Sequence, residues 1–234
     1  MTVPLKGGPL ADLARGAGPL VVAVGAIVAS RTGPPANAAV ILERGKAAFV
    51  HRKVYLPVHG MFEEARYFSP GDRFRAHRSK TLGLSLGTLV CRDFWHLSSA
   101  VVLGARGVDV LLGMSASPGR DLSEGRPSDG FGSLRMLQVL NEAYARCLGV
   151  FVVHANRVGT EEGVTFVGGS EIRNPSGRLV AAAGEEEELL LADLDADLLR
   201  RTRAALPLER DERRELVARE MRDAVRERGR RASD

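Results

Sequence analysis

The sequence predicts an α/β protein, because strand-like and helix-like segments alternate along most of its length. Apolar runs rich in valine, leucine and isoleucine recur and are typical of buried strands. Between them lie segments whose apolar residues repeat at helical spacing. With 234 residues, 44% apolar and 26% charged, the chain has the size and composition of one globular domain. We expect that domain to span residues 1–234, with a charged C-terminal helix or tail from about residue 205.

The first half of the chain predicts strands and helices in alternation after a short helix. Residues 20–28 are almost continuously apolar, which indicates a buried strand. Gly45 lies in a short polar turn between two apolar runs, a pattern typical of a β-hairpin. From Leu97 to Gly104 the apolar residues share one helical face. In chain order we predict a helix at 10–15, strands at 20–28, 38–42, 47–52 and within 80–91, a helix at 95–105 and a strand at 108–114.

The second half opens with a polar segment rich in Gly, Ser and Pro, which indicates a loop. A helical pattern follows it, and then several short apolar runs, two of which are separated by an acidic turn at 184–188. The last segment is dense in Arg and Glu, which is typical of an exposed helix or tail. In chain order we predict a loop at 117–132, a helix at 131–148, strands at 150–155, 164–172, 178–183 and 189–194, a helix at 195–204 and a charged helix or tail at 210–228.

Charge and cysteine content exclude several classes of protein. The net charge of +4 comes from 33 basic and 29 acidic residues that are interleaved, so no one-signed surface for nucleic acid is expected. Two cysteines cannot form a disulfide scaffold and fit a reducing compartment, which predicts a cytoplasmic protein. The five histidines show no metal-ligand spacing, and no apolar run is long enough to span a membrane. We therefore expect no metal, no membrane partner and no nucleic-acid partner.

Cys91 is the candidate nucleophile. It ends the apolar run 84–90 and stands directly before a predicted helix. Partial positive charge at a helix N-terminus lowers a thiol pKa, and the backbone N–H groups there can bind an oxyanion. The alternative is that Cys91 is a small buried core residue, as we expect for Cys147.

Several motifs occur in a fixed order around Cys91. Lys53 lies in the segment 51–57, Glu64 stands four residues before Phe68, and Cys91 opens a Cys-x-Asp-x-Trp pattern. Further motifs follow at 152–159, 166–170 and 174–177. As a set, these motifs resemble the nitrilase, or carbon–nitrogen hydrolase, superfamily over about residues 37–216. The Cys-x-Asp-x-Trp pattern is similar to that of the glutaminase domains of NAD synthetases and related amidases, which usually carry Glu where this chain has Arg92.

The resemblance implies a four-layer α-β-β-α sandwich that forms a homodimer or larger homo-oligomer. It also implies hydrolysis of an amide, carbamoyl or glutamine side-chain amide bond in a small molecule, through a cysteine thioester and without a cofactor. Cys91 would be the nucleophile, Lys53 the cation beside it, and Glu64 the carboxylate that holds Lys53. Arg92, through its backbone N–H, and Trp95 would face the substrate; for Trp95 an amphipathic helix face is an equal alternative. Ser115 and Ser117 are further candidates for the acyl pocket.

One feature of the family is not found in the sequence. The resemblance implies a catalytic glutamate at the end of an early strand, but the acids before Lys53 are Asp12, in a predicted helix, and Glu43, in the predicted hairpin turn. We therefore expect an N-terminally incomplete fold that lacks one strand–helix–strand unit of about 40 residues. This leaves three hypotheses: a hydrolase whose activity is low with this sequence, a catalytically silent relative that serves as a binding or assembly partner, or a small-ligand-binding module.

Overall fold

The computed structural model describes residues 2–30, 33–58, 62–119 and 132–231. The helices are α1 (Gly8–Gly16), α2 (Glu64–Tyr67), α3 (Arg92–Trp95), α4 (Leu97–Ala105), α5 (Gly132–Leu148), α6 (Ala196–Ala205), α7 (Leu208–Asp211) and α8 (Arg214–Arg231). The strands are β1 (Val22–Val28), β2 (Ala36–Glu43), β3 (Lys46–Arg52), β4 (Ala76–Arg78), β5 (Ser85–Val90), β6 (Val110–Ser115), β7 (Phe151–Asn156), β8 (Val158–Glu161), β9 (Val164–Val167), β10 (Glu171–Arg173) and β11 (Leu179–Ala182).

The strands that the structure describes form two main sheets and a small hairpin. A six-stranded sheet has the order β11-β10-β7-β6-β5-β4, and a three-stranded sheet has the order β1-β2-β3. In the larger sheet β5, β6 and β7 are parallel, because α4 and α5 return the chain between them. Its remaining pairs and the whole three-stranded sheet are antiparallel. The predicted α/β class is confirmed.

The two main sheets stack face to face, with a helix layer outside each of them. Alternation along β2 sends Ile41 toward the larger sheet, where it packs with Val110 and Phe151. Val40 and Leu42 point the other way and pack with Leu10 of α1. On the far side of the larger sheet, strand residues pack against α4 and α5 in one buried cluster, made of Leu89, Phe94, Ala100, Leu103, Val108, Leu111, Leu137, Leu140, Tyr144, Ala145, Val150 and Val152. The order of layers is α-β-β-α, as the resemblance implied.

Several predicted elements differ from the observed ones. The helix predicted at 95–105 is two helices, since His96 takes an extended conformation with φ −97°. The strand predicted at 164–172 is interrupted, because Gly168 and Gly169 have φ of 60° and 68°. The strand predicted at 189–194 is absent, and Leu189 is 81% exposed. Most of the predicted loop at 117–132 lies outside the described residues.

Glu43 was predicted in a turn, but it ends β2 and is buried. One carboxylate oxygen bonds His77 Nε2 at 2.8 Å, and the other accepts from Ser79 Oγ at 2.9 Å and from the Thr81 backbone N–H at 2.7 Å. Burial alone would raise the Glu43 pKa, but the hydrogen bonds from His77, Thr81 and Ser79 lower it to about 2. Glu43 therefore joins the two sheets as an ionised carboxylate.

Candidate active site

Cys91 lies at a sharp turn between β5 and α3. Its backbone N–H donates to the carbonyl of Met114 at the end of β6, at 2.8 Å. The residue has φ 46° and ψ −102°, a conformation that is unfavourable for any side chain except glycine's hydrogen. Such strain costs on the order of 1–3 kcal/mol and persists only where the surroundings fix it, most often at functional sites.

Lys53 and Glu64 form an ion pair beside this turn. Lys53 follows β3 and is held by backbone bonds from its N–H to Asn37 and from the Gly71 N–H to its carbonyl, at 2.8 and 2.7 Å. Its side chain is only 1% exposed, while that of Glu64, at the start of α2, is 18% exposed. Lys53 Nζ donates to both carboxylate oxygens of Glu64, at 2.6 and 2.7 Å. Both partners are therefore fixed in one geometry.

Burial, two charged side chains and two backbone N–H groups together determine the direction in which the pKa of the Cys91 thiol shifts. Burial raises the pKa of the thiol, the positive charge of Lys53 lowers it, and the negative charge of Glu64 raises it again. The backbone N–H groups of Ala116 and Arg92 also face the sulfur and lower its pKa. Because the net effect is a raised pKa, the resting thiol is protonated at neutral pH. Forming the thiolate thus requires a group that accepts this proton.

The four predicted substrate-facing residues lie around the same turn, with different surroundings. The Arg92 guanidinium lies 6.0 Å from the centre of the Trp95 ring, and both side chains are half-buried. Ser115 Oγ bonds His154 Nε2 at 2.9 Å. Ser117 is buried, and its hydroxyl has no hydrogen-bond partner among the described residues. Ser115 and Ser117 flank Ala116, whose N–H faces the thiol.

Neither acid that precedes Lys53 reaches this site. Asp12 is exposed on α1 and pairs with Arg15. Glu43 is at the opposite end of β2 from Asn37, which binds Lys53; six residues of strand separate the two, or about 20 Å. Glu43 is instead bound by His77, Ser79 and Thr81 at its own end of the strand.

Sequence reasoning assigned no role to two buried groups at the site. Asp93 is fully buried and bonds His51 Nε2 at 2.8 Å. An acid two residues after the nucleophile was visible in the Cys-x-Asp-x-Trp pattern, but its partners were not. His154, stacked on Phe94, has its pKa lowered by burial to about 4, so it is a neutral hydrogen-bonding group for Ser115.

Residues 8–204 match the carbon–nitrogen hydrolase family, and the chain belongs to that family. It is 30% identical over 179 residues to a glutamine-dependent NAD(+) synthetase of Acinetobacter baylyi, covering 76% of this chain and 31% of that protein. It is 31% identical over 190 residues to an N-carbamoylputrescine amidase of Solanum lycopersicum, covering 77% of this chain and 61% of that one. The chain thus spans less than two thirds of the length of these relatives.

Solved structures agree with this assignment. A carbon–nitrogen hydrolase from Helicobacter pylori G27 superimposes with a TM-score of 0.78 at 26% identity, covering 88% of this chain and 72% of that one. The NitN amidase of Neterenkonia sp. AN1 gives 0.67 at 25% identity, covering 90% and 72%. Within the part of the chain that the structure describes, no helix has the length and apolar character needed to cross a membrane. The described residues also contain no group of three or more His, Cys, Asp or Glu side chains placed to hold a metal ion.

Proposed function

We propose that this protein hydrolyses a non-peptide carbon–nitrogen bond in a small amide-type molecule, with Cys91 as nucleophile. The observation that carries the proposal is the arrangement of a strained cysteine beside the Lys53–Glu64 ion pair and two inward-facing backbone N–H groups. This set supplies a nucleophile, a cation and oxyanion donors at one point. The relatives act on glutamine-derived, carbamoyl and amide nitrogen according to their names, which supports the same bond class here.

In the proposed reaction, the Cys91 thiolate attacks the carbonyl carbon and the carbonyl electron pair moves to oxygen. The N–H groups of Arg92 and Ala116, together with Lys53 Nζ, stabilise that oxyanion. Collapse of the intermediate breaks the carbon–nitrogen bond, and the nitrogen leaves as ammonia or an amine after taking a proton. Water then cleaves the thioester to the acid and regenerates the thiol. Arg92, Trp95, Ser115 and Ser117 are the proposed substrate contacts.

Whether a group accepts the Cys91 thiol proton decides between an active enzyme and a catalytically silent relative. Among the described residues, Glu64 is the carboxylate with the largest effect on the thiol pKa, and both of its oxygens bind Lys53. We propose that the protein turns over slowly, because the carboxylate that faces the thiol among the described residues is bound to Lys53 and loss of a general base costs about 10²–10⁴-fold. The same observation favours the second candidate, a catalytically silent relative that acts as a binding or assembly partner.

We further propose that the protein acts in the cytoplasm as a homodimer, without a cofactor. Its low cysteine content supports a reducing compartment. Exposed apolar side chains on α4 and α5, including Leu97, Val101 and Val139, support association through that helix layer. Size-exclusion chromatography with light scattering tests the assembly, and a monomer at micromolar concentration contradicts it.

The test of function is ammonia release from glutamine, N-carbamoylputrescine and a short aliphatic amide, with mass spectrometry of the intact protein. We expect weak turnover and an acyl adduct that maps to Cys91. Cys91→Ala should abolish both signals. The matched control Cys147→Ala should keep them, because Cys147, which the sequence predicted in the core, is in fact exposed on α5. Turnover that survives in Cys91→Ala contradicts the proposal. A folded wild type with neither turnover nor adduct supports the silent relative.

A further inference from the structure

The buried carboxylate of Asp93 makes an unusual set of contacts. One oxygen accepts the backbone N–H groups of Val54 and Tyr55, both at 2.9 Å. The other bonds His51 Nε2 at 2.8 Å and accepts the Val90 N–H at 3.3 Å. Asp93 is 0% exposed, so these groups replace its water shell completely.

These contacts surround the two reactive residues. His51 lies two residues before Lys53, and Val54 follows Lys53 directly. Val90 precedes Cys91, and Asp93 itself lies two residues after it. A single carboxylate, two residues after the cysteine, therefore binds the chain before and after the lysine and directly before the cysteine. Other bonds from the Lys53 backbone lead to β2 and to Gly71, neither of which carries the cysteine.

We propose that Asp93, with His51 as its buried partner, is a positioning residue that sets the separation of Lys53 Nζ and Cys91 Sγ. The backbone of Cys91 is strained, so its conformation needs fixed neighbours. Hydrogen bonds to an ionised carboxylate are about twice as strong as neutral ones. Those of Asp93 come from several directions, and together they supply that constraint. The inference rests on the proposed function only in assigning these two residues a shared reaction; the geometry itself does not depend on turnover.

Asp93 affects the thiol pKa in two ways of opposite sign, through its own charge and through the position of Lys53. An experiment can therefore tell a positioning role from a purely electrostatic one. Asp93 is negative, so removing its charge alone lowers the thiol pKa. Lys53 is positive and Glu64 negative, and moving Lys53 away from the sulfur raises the thiol pKa. Asp93→Asn removes the charge but keeps the shape and one accepting oxygen. Asp93→Ala removes the charge and every contact.

The experiment measures the rate at which iodoacetamide alkylates Cys91 from pH 6 to pH 11, with peptide mass spectrometry and exposed Cys147 as internal reference. We expect the midpoint for Asp93→Ala to lie above that for Asp93→Asn by about one pH unit or more, as for loss of an opposite charge within contact range. Equal midpoints in the two folded variants would overturn the proposal. Asp109→Asn is the matched control, since Asp109 is also buried but binds Ser85 at the far end of β5; its midpoint should equal the wild type's.

A second pair of variants decides the matter if Asp93→Ala does not fold. His51→Gln keeps an N–H that can reach Asp93, whereas His51→Leu does not. We expect His51→Leu to raise the midpoint above that of His51→Gln, and coincidence of the two would overturn the role of the pair. The readout uses no amide substrate, so absence of turnover in the wild type counts against the proposed function and leaves this measurement decisive for Asp93.

Discussion

Replacing Glu64 and replacing Lys53 should lower the free energy of unfolding by different amounts, although each change breaks the same ion pair. Glu64→Leu leaves the Lys53 ammonium, whose side chain is 1% exposed, without its counter-charge. Leaving a buried charge unpaired typically costs about 3–5 kcal/mol. Lys53→Met leaves the Glu64 carboxylate, which is 18% exposed and can recover water. Lys53→Met should therefore lower the free energy of unfolding by about 1–2 kcal/mol, at the lower end for an unsatisfied polar group.

Thermal unfolding followed by circular dichroism measures this asymmetry. For a chain of this size, 1 kcal/mol shifts Tm by about 2–4 °C, so Glu64→Leu should lose about 6–20 °C and Lys53→Met about 2–8 °C. The double variant should lie near the wild type, because replacing both members by apolar groups is often neutral. Arg146→Met, which breaks an exposed pair with Glu142, is the matched control and should change Tm by less than either. An equal or larger loss for Lys53→Met would refute the reasoning.

Three further predictions concern the surrounding scaffold. The Glu43 pKa is lowered from 4.5 to about 2, so the stabilisation that its ionised form provides is complete above pH 4.5 and is lost as the pH falls through 2. The free energy of unfolding of Glu43→Gln, measured in urea, should therefore differ from that of the wild type most at neutral pH. His154 has a pKa of about 4 against 6.5 when unfolded, so wild-type stability should fall between pH 6.5 and 4, and a fall of the same size in His154→Gln contradicts this. Gly71→Ala should place a methyl group against the Arg52 carbonyl, displace Lys53, and so lower Tm and change the rate of Cys91 alkylation. In Gly25→Ala the added methyl group meets no atom within 4 Å, so this control should leave Tm and the alkylation rate unchanged.

The parts of the fold that could be predicted are those with a local signal. The hairpin of β2 and β3 follows from two apolar runs and Gly45, which takes φ 75°. The segment 189–194 carries a similar apolar signal, but it pairs with no strand in the part of the chain that the structure describes, and Leu189 and Leu191 face solvent. A strand needs a partner as well as a composition, and its partner is a property of the tertiary fold.

The same distinction applies to the site. Cys91 was predicted from its position between a strand and a helix, which is a local property. The bonds of Asp93 reach residues about forty positions earlier, and those of Glu43 reach residues almost as far ahead. Residue type and order reveal that such acids exist, but only the stacking of the two sheets fixes which donors they meet. Glu43 was therefore misplaced in a turn, and Asp93 received no role.

The charges around Cys91 also restrict what Lys53 can do. Its positive charge favours the thiolate, while the Glu64 charge opposes it, and burial keeps the thiol pKa raised. The effect of the pair on the thiol pKa is therefore a difference between two opposed charges, and it depends on where Lys53 lies. An ammonium group has three N–H donors, and Glu64 accepts two of them at 2.6 and 2.7 Å. We infer that Lys53 acts through its charge and through one directed N–H to the thiolate or oxyanion; both depend on its position, which is why Asp93 should matter.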